Sequence, residues 1–416
     1  MTIELSKLYR TRIQSEAVFG VDDSATPANY VDFPASEGAM VGTAQEMLEA
    51  GLQEQYRLGR QKRVAGVRSA SLNLPFNLVA TGAANPGNVA FPTTATWGLA
   101  RLLKAMMGGM RTPSVQGAIT QALVGSTASS INVTAGHGNT LGAVGGAFGV
   151  YIASSGKIEC REILSVASGV VVPKVAFSAA PATNAAVYWP AATFYFTEDP
   201  AESLQFLCEG AETTDRFCVG GLQGTLAIET SVAALAKATA SLTGPYWAKL
   251  SSVALAAATV ANYAPVPVID SECILGTGTI TACQTRNAID WSSASYTIGG
   301  IAFDDVRSPN GVQTVLRKRG SRAVGMSAAL TTYYNQSTYD FWTAHSGRTD
   351  LSLFQQIGSV VGGMILISMP TVQVMCPARA DANGMTGLTL QFEGRNDEAT
   401  ATATEIGRSC GRIDIF

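Results

Sequence analysis

Apolar and polar residues alternate with a period of two along much of the chain, and this pattern constrains the fold more than any other feature. In residues 69–78, 193–196, 224–228, 238–243 and 387–392, every second side chain is apolar. Because successive side chains of a strand point to opposite faces, each segment predicts a strand with one buried face. Turns bearing Gly, Pro or Asn lie between them. The sequence therefore predicts a mainly β protein with antiparallel pairing.

Three segments depart from this alternation and have apolar residues at helical spacing. Residues 96–107 stop at a Gly-Gly pair and residues 337–345 stop before Gly347, so both predict helices. Residues 44–58 follow a capping-box pattern that begins at Thr43, and they are a third helix candidate. The apolar stripe of the first helix is expected to pack on a sheet; its members are Trp97, Leu99, Leu103 and Met106.

The order of elements occurs twice along the chain. In each half a basic stretch leads into a strand, a helix follows, and paired strands close the unit. The basic residues are Arg60, Lys62 and Arg63 in the first half and Arg317, Lys318 and Arg319 in the second. The predicted fold class is therefore mainly β with a few helices (β or α+β), built as two tandem β-sandwich or barrel folds, each flanked by a helix.

Residues 130–190 stand apart from this repeated order. They contain two predicted hairpins, one turning at Ser155-Gly156 and one at Gly169, and predict a small inserted β module. The first domain is then discontinuous and comprises residues 1–129 and 191–250. An Ala-, Val- and Thr-rich connector covers residues 251–285, and the second domain covers residues 286–416.

The composition indicates a surface that is covered by other copies of the chain. Only 14% of residues are charged, although 47% are hydrophobic, and soluble domains usually carry about 25% charged residues. A net charge of −3 gives no general attraction to nucleic acid or membranes. The polar start of the chain does not resemble a signal peptide, and no apolar run is long enough for a membrane span, so no membrane association is expected.

The sequence offers little for catalysis. Its two histidines are interpreted as a surface turn residue, His137, and a residue complementing a helix C-terminus, His345. Asp304-Asp305 is interpreted as a solvated strand end. The seven cysteines form no CxxC pair and are expected to be free, buried thiols in a protein made in a reducing cytoplasm. No catalytic, cofactor-binding or metal-binding residue is therefore predicted, and no phosphate-binding glycine loop is present.

The two basic stretches allow three interpretations: contacts between subunits, an ordinary solvated face, or DNA binding. The stretch from Arg57 to Arg68 has no aromatic residues after Tyr56, which a single-strand binding platform would need. Acidic residues lie directly upstream at Glu46, Glu49 and Glu54. Opposite charges on neighbouring segments favour the first interpretation, in which they set the register between assembled subunits.

In their succession, several segments resemble the duplicated tail-tube (major tail) proteins of long-tailed, siphovirus-like phages. These segments are Glu16 to Gly20, Lys62 to Leu74, Trp97 to Leu103, Tyr296 to Phe303, Gly362 to Gln373 and Asp381 to Glu398. Residues 130–190 are the main departure from the family. The resemblance implies two tail-tube-type folds and a structural virion protein whose rings stack into a tube, a conduit for DNA ejection.

The resemblance also implies the partners and the location. The chain is expected to bind itself and other tail proteins at the tube ends, while DNA passes through the lumen without specific binding. It would be assembled in the host cytoplasm and reside in the virion tail. Another phage structural protein (tail completion, capsid or decoration) is an alternative, and a β-rich hydrolase is a further one that the scarcity of histidine disfavours.

The duplicated order predicts a ring of three chains, since resembling single-copy relatives close rings of six. About four strands from each fold would close a barrel of about 24 strands and about 50 Å backbone diameter, wide enough for duplex DNA. The module at 130–190 is expected on the outside, and the lumen is expected to be acidic or neutral. The basic residues named above are then expected to serve subunit contacts.

Overall fold

The structure is a computed structural model that describes most of the chain. The described residues are 10–16, 29–36, 39–49, 63–80, 97–112, 120–134, 136–137, 144–167, 169–197, 203–209, 216–250, 265–299, 303–307, 314–319, 325–333, 339–360, 362–382, 384–396, 406 and 409–416. For 10, 45–49, 63–67, 303–307 and 314–319 the description covers the backbone only. This part of the chain is mainly β with two helices, which confirms the predicted fold class at that level.

The first half of the chain holds the first fifteen described strands and one helix. Their bounds are β1 Arg10–Ser15, β2 Val31–Phe33, β3 Met40–Glu49, β4 Arg63–Asn77, α1 Gly98–Met107, β5 Gly108–Arg111, β6 Ile131–Asn132, β7 Ala147–Ile152, β8 Lys157–Ala167, β9 Val170–Pro173, β10 Val187–Tyr188, β11 Ala192–Phe196, β12 Leu204–Glu209, β13 Arg216–Ser231, β14 Lys237–Gly244 and β15 Tyr246–Leu250.

The second half holds the remaining described strands and the other helix. Their bounds are β16 Glu272–Thr277, β17 Thr285–Ala288, β18 Trp291–Gly299, β19 Phe303–Arg307, β20 Thr314–Arg319, β21 Met326–Tyr333, α2 Phe341–Ser346, β22 Leu351–Ile357, β23 Ile365–Val374, β24 Ala378–Ala382, β25 Met385–Gly394 and β26 Arg412–Ile415.

A broad antiparallel sheet, here called the main sheet, organises the molecule. Among the described residues, eight strands pair in the order β3-β4-β14-β13-β18-β21-β25-β24. The pair β13–β18 joins the two halves of the chain, with Leu226 opposite Ile298 and Ile228 opposite Tyr296. Burial alternates along the six inner strands from β4 to β25, so the main sheet has one buried face and one exposed face.

A second layer covers the buried face of the main sheet. It comprises the strands β5-β11-β26-β23-β22-β16-β17 and, beside them, β2-β1-β12-β13-β15. Strand β13 belongs to both layers, because it pairs with β12 and β15 near its start and with β14 and β18 near its end. Strands that switch sheets in this way form the corners of sandwiches and barrels.

One large hydrophobic core fills the space between the layers. It contains Leu74, Leu226 and Leu330 from the main sheet and Ile367 and Ile413 from the second layer. Helix α1 is embedded in the same core through the residues whose helical spacing predicted it: Trp97, Leu99, Leu103 and Met106. The prediction that this stripe packs on a sheet is therefore confirmed.

The inserted module is a small sheet of its own, ordered β10-β7-β8-β9-β6. It has a separate core that includes Phe148, Phe177 and Trp189. The two predicted hairpins are confirmed, and Gly156 and Gly169 take positive φ values of 67° and 86° at their turns. Ala122 belongs to this core and bridges to Val133, so the module begins before the predicted residue 130.

Two helix predictions are confirmed and one is wrong. The predicted helix at 337–345 is α2, which begins at Phe341 because the Asp340 side chain accepts hydrogen bonds from two backbone N–H groups of the first turn. The third candidate, residues 44–58, is wrong where it is described, because residues 44–49 belong to strand β3. Backbone pairing with β4 outweighs the local helix preference of these residues.

The segment predicted as a connector, residues 251–285, is part of the second layer where it is described. Strand β16 lies within it and pairs with β22, placing Ile274 opposite Phe354. Residues 265–268 also bridge back to the first half, with Leu235 opposite Pro267. The apolar residues in this range therefore build the body of the protein.

Candidate functional site

The main sheet has two distinct ends, defined by its strand connections. At one end, here called the hairpin end, β3 and β4 reach their furthest pair at Glu49 and Arg63. The chain that carries β19 and β20 leaves and re-enters the sheet at this same end, where Gly299 N donates to Gly325 O at 3.2 Å. At the opposite end, the turn end, lie the β13–β14 turn, Trp291 and Tyr333.

The exposed face of the main sheet, here called the polar face, consists largely of hydroxyl and amide side chains. These are Ser71, Asn73, Thr225, Ser231, Thr239, Ser241, Thr243, Ser293, Ser295, Thr297, Ser327, Thr331, Thr389 and Gln391. Among the described side chains of this face, Glu229, Lys237 and Glu393 carry charge, and Glu229 lies opposite Lys237. The polar face is therefore wide, exposed and almost neutral.

Both outer strands of the main sheet have an open edge in the described part of the chain. Strand β3 pairs with β4 alone, and strand β24 pairs with β25 alone. The two edges run antiparallel to each other, because strand direction alternates across the whole sheet. An open edge presents unpaired N–H and C=O groups, which are a template for pairing with another strand.

The inserted module lies on the side of the molecule away from the polar face. Alternate side chains of β22 and β23 point into the main core, as do Leu353 and Ile367. Their neighbours, Phe354 and Leu366, instead join a third cluster with Ile158 of the module. The second layer is thus buried on both faces, between the main sheet on one side and the module on the other.

Polar contacts fix the module to the second layer. Gln356 of β22 accepts a hydrogen bond from Cys160 N and donates one to Ile158 O, both at 2.7 Å. Arg161 Nη2 lies 2.8 Å from Glu159 Oε2 and 3.4 Å from Glu272 of β16. Burial alone would raise the pKa of Glu159, but the Arg161 guanidinium and hydrogen bonds from Ser178 hold it below the usual value.

A second buried group of charges lies where β26 meets the module. Arg412 pairs with Glu162 of β8, and Asp414 accepts a hydrogen bond from Thr193. Burial raises the pKa of Asp414 to about 7. These residues are far apart in sequence, and no local pattern pointed to them. The Arg412–Glu162 pair joins the second layer to the module, whereas the Thr193–Asp414 hydrogen bond joins β11 to β26 within that layer.

The predicted basic residues fall at the hairpin end wherever they are described. Arg60 and Lys62 lie outside the described residues. Arg63 starts strand β4, at the register position opposite Glu49. Arg317, Lys318 and Arg319 belong to β20, where the first two face Asp305 and Asp304 of β19 in register.

This register also corrects one interpretation. Asp304 and Asp305 are not at a strand end; they lie inside β19, which pairs with β20 along its length. Acidic and basic residues thus occupy facing strands of the same hairpin. Opposite charges at facing positions favour this pairing.

The two histidines make hydrogen bonds within the fold. His137 was interpreted as a surface turn residue, and this is wrong: it is buried, and its Nδ1 lies 2.8 Å from Thr120 Oγ1. Thr120 also accepts a hydrogen bond from Trp189 Nε1 at 3.0 Å, so His137 supports the core of the module. His345 is in the last turn of α2, as predicted, and its Nδ1 lies 3.0 Å from Val374 O.

The described cysteines are free, and most are buried, as predicted. Cys208 and Cys218 lie on adjacent strands but belong to two different clusters on opposite faces of the sheet. In the described ranges no group of three or more His, Cys, Asp or Glu side chains is arranged to hold a metal ion. The helices described have neither the length nor the apolar character for crossing a membrane.

Comparison with protein-family models and with curated proteins finds no match for this chain. Function must therefore be inferred from the chain's own geometry. The features that bear on it are the polar face, the two open edges of the main sheet, and the module on the opposite side.

Proposed function

We propose that this chain is the structural subunit of a phage tail tube, with its main sheet forming part of the wall of a DNA channel. The observation that carries the proposal is the pairing of β13 with β18. It joins the two halves of the chain by the same kind of edge contact that the open edges β24 and β3 offer to neighbouring copies.

The two halves of the main sheet support an internal repeat of four strands. In the first half the order across the sheet is β3-β4-β14-β13, and in the second it is β18-β21-β25-β24. In both, the first two strands are joined across the hairpin end, a helix follows, and the last two form a hairpin. Each strand of the first unit also runs in the same direction as its counterpart in the second unit, because all neighbouring strands are antiparallel and the counterparts lie four positions apart.

The strands next to these helices extend the correspondence. Strand β13 begins in the second layer beside β12 and ends in the main sheet. Strand β23 likewise begins in the second layer beside β22, and its last residues pair with β25 of the main sheet directly before β24. In chain order, the module, β5 and β11 are then an insertion between helix α1 and the strands β12 and β13 of the first unit. This arrangement fits two tandem tail-tube-type folds.

Such a repeat favours a closed ring. The junction β13–β18 joins the fourth strand of one unit to the first strand of the next, which is a heterologous contact, and a heterologous contact repeated by rotation generates a ring. Strand β24 of one chain would pair in the same way with β3 of its neighbour. Three chains, each giving eight main-sheet strands, would close a barrel of about 24 strands and about 50 Å backbone diameter.

The polar face is suited to the lumen of such a barrel. DNA is held by cations that displace its counterions, so a lumen rich in Lys and Arg would retard its passage. Among the described side chains of the polar face, Lys237 is the single cation, and it lies opposite Glu229. Hydroxyl and amide groups keep the surface wet without concentrating positive charge. DNA would therefore slide past without specific binding.

The other face of the molecule then lies outside the tube. The second layer and the module are on the far side of the core from the polar face. A module there adds surface without narrowing the channel. In this proposal Arg60, Lys62, Arg63, Arg317, Lys318 and Arg319 serve contacts between subunits. The protein is not an enzyme; its partners are its own copies and the tail proteins at the tube ends.

Cross-linking of the two open edges tests this proposal. In a Cys283→Ser/Cys376→Ser background, Thr43→Cys on β3 is combined with Asp381→Cys on β24, or with Arg379→Cys to sample a second register. A short bismaleimide should give a ladder that ends at three chains, while each single-cysteine variant should give none. A ladder that reaches six chains would refute the ring proposed here. So would assembled protein that gives no cross-linked product in either register.

A further inference from the structure

A surface at the turn end of the main sheet exposes several large aliphatic side chains. Val232 is 57% exposed, Leu235 is 41% exposed and Ile269 is 60% exposed. The segments that carry them are joined, since Leu235 bridges to Pro267. We call these three side chains the turn-end patch. Clustered exposed apolar side chains are typical of a contact site rather than of a free surface.

A pocket of about 670 Å³ opens beside this patch, and Val232 belongs to both. The residues that line it include Asp270, Glu272, Asp290 and Arg286. Glu272 is paired with Arg286 and with Arg161, while Asp270 is paired with Lys157 in an exposed contact of 2.8 Å. Asp290 is exposed and forms no ion pair within the described part of the chain. Among the described residues, Asp290 therefore supplies the uncompensated negative charge of the pocket.

The hairpin β19–β20 has the complementary character. Its described residues include the basic Arg307, Arg317, Lys318 and Arg319, the acidic Asp304 and Asp305, and the apolar Val306, Val315 and Leu316. The register places Asp304 and Asp305 opposite Lys318 and Arg317, so positive charge remains in excess. This hairpin leaves from β18 and returns to β21, at the end of the main sheet opposite to the patch.

We propose that the turn-end patch and its pocket receive the β19–β20 hairpin of a second copy stacked end to end with the first. This inference rests on the proposed tube. The patch lies at the turn end of β13, with Trp291 of β18 and Tyr333 of β21 in the pocket wall. The chain connects the hairpin to the other end of the same two strands. Stacking along the tube axis therefore brings the hairpin of one copy to the pocket of the next. The apolar residues of the hairpin then face the turn-end patch, and its basic residues face the carboxylate of Asp290.

Site-specific photo-cross-linking of the full-length chain tests the contact directly. p-Benzoylphenylalanine replaces Ile269, and a matched control carries it at Val124, which is 78% exposed on the module. After illumination of assembled protein, mass spectrometry should identify intermolecular links from position 269 to residues 303–319. The control position should give no links to that hairpin.

A charge variant adds a second readout. Asp290→Lys should lower the yield of that link several-fold and shorten the tubes, while rings still form, because Asp290 is exposed and lies away from both open edges. Links from position 269 to residues 45–68 or elsewhere, in tubes that form normally, would overturn the docking inference and leave the tube intact. Dispersed monomers with no rings at all would overturn both proposals.

Discussion

Arg412 Nη1 lies 2.6 Å from Glu162 Oε1, and both side chains are almost completely buried. This ion pair joins β26, at the end of the chain, to β8 of the inserted module. Arg412→Met should therefore destabilise the fold by about 3–5 kcal/mol, because it removes the guanidinium that pairs with a buried carboxylate. Chemical denaturation measures the loss in the free energy of unfolding.

The matched control for this pair is the exposed pair Arg395–Asp350, with 49% and 37% side-chain exposure. Arg395→Met should cost less than about 1 kcal/mol. The double variant Glu162→Met/Arg412→Met should recover much of the stability, since it also removes the buried carboxylate. Equal losses for Arg412→Met and Arg395→Met would contradict a buried junction.

Asp414 should make stability depend on pH. Burial raises its pKa from 3.8 to about 7 in the folded protein, so between these values the folded state holds a proton that the unfolded state has released. Stabilisation from this group is full below about pH 4 and is lost as the pH rises through about 7. Asp414→Asn stays neutral and should flatten this part of the profile, by on the order of a few kcal/mol. An unchanged slope between pH 4 and 7 would show that Asp414 is ionised throughout.

Thiol labelling should separate the cysteines by burial. Cys376 is exposed and Cys283 is partly exposed, whereas Cys160, Cys208, Cys218, Cys273 and Cys410 are buried. Burial raises the pKa of Cys160, Cys208 and Cys273, which keeps these thiols protonated and unreactive. A maleimide should label Cys376 first in native protein. Denaturation without reductant should expose all seven thiols, and a smaller number would indicate a disulfide.

Gly224 should be intolerant of a side chain at the point where β13 crosses into the main sheet. A Cβ there would lie 1.9 Å from the Ser241 carbonyl oxygen and 2.9 Å from Leu242 Cα, so Gly224→Ala forces β13 away from β14. We expect a loss of more than about 1 kcal/mol in the free energy of unfolding. Gly363→Ala is the control, because its Cβ would meet Val360 O at an ordinary 3.5 Å. Similar stabilities of the two variants would argue against the close approach.

The correctly predicted parts of the fold are those whose burial pattern can be read from a few consecutive residues of the sequence. Residues 69–78 alternate because β4 has one face in the core and one in solvent. Strand β22 has no such pattern, because the main core and the module cover it from both sides. Residues 44–49 have local helix preference, and only the pairing of β3 with a distant strand decides their conformation.

The candidate site was predictable in part. The basic clusters are visible in the sequence, and the structure adds that Arg63 and β20 are both at the hairpin end. The polar face could not be predicted as a unit, because it combines residues from both halves of the chain. The same holds for the turn-end patch, which needs Ile269 to lie beside Leu235. Contacts of this kind depend on strand order, which alternation does not specify.

The number of chains in a ring, and the face they turn inward, test the central claim most directly. Electron cryomicroscopy of assembled tubes should show three chains per ring, with β24 of each chain paired to β3 of the next. Ser241, Thr225 and Ser295 of the polar face should line the channel, and the module should project outward. Six chains per ring, or a polar face turned away from the channel, would contradict the account.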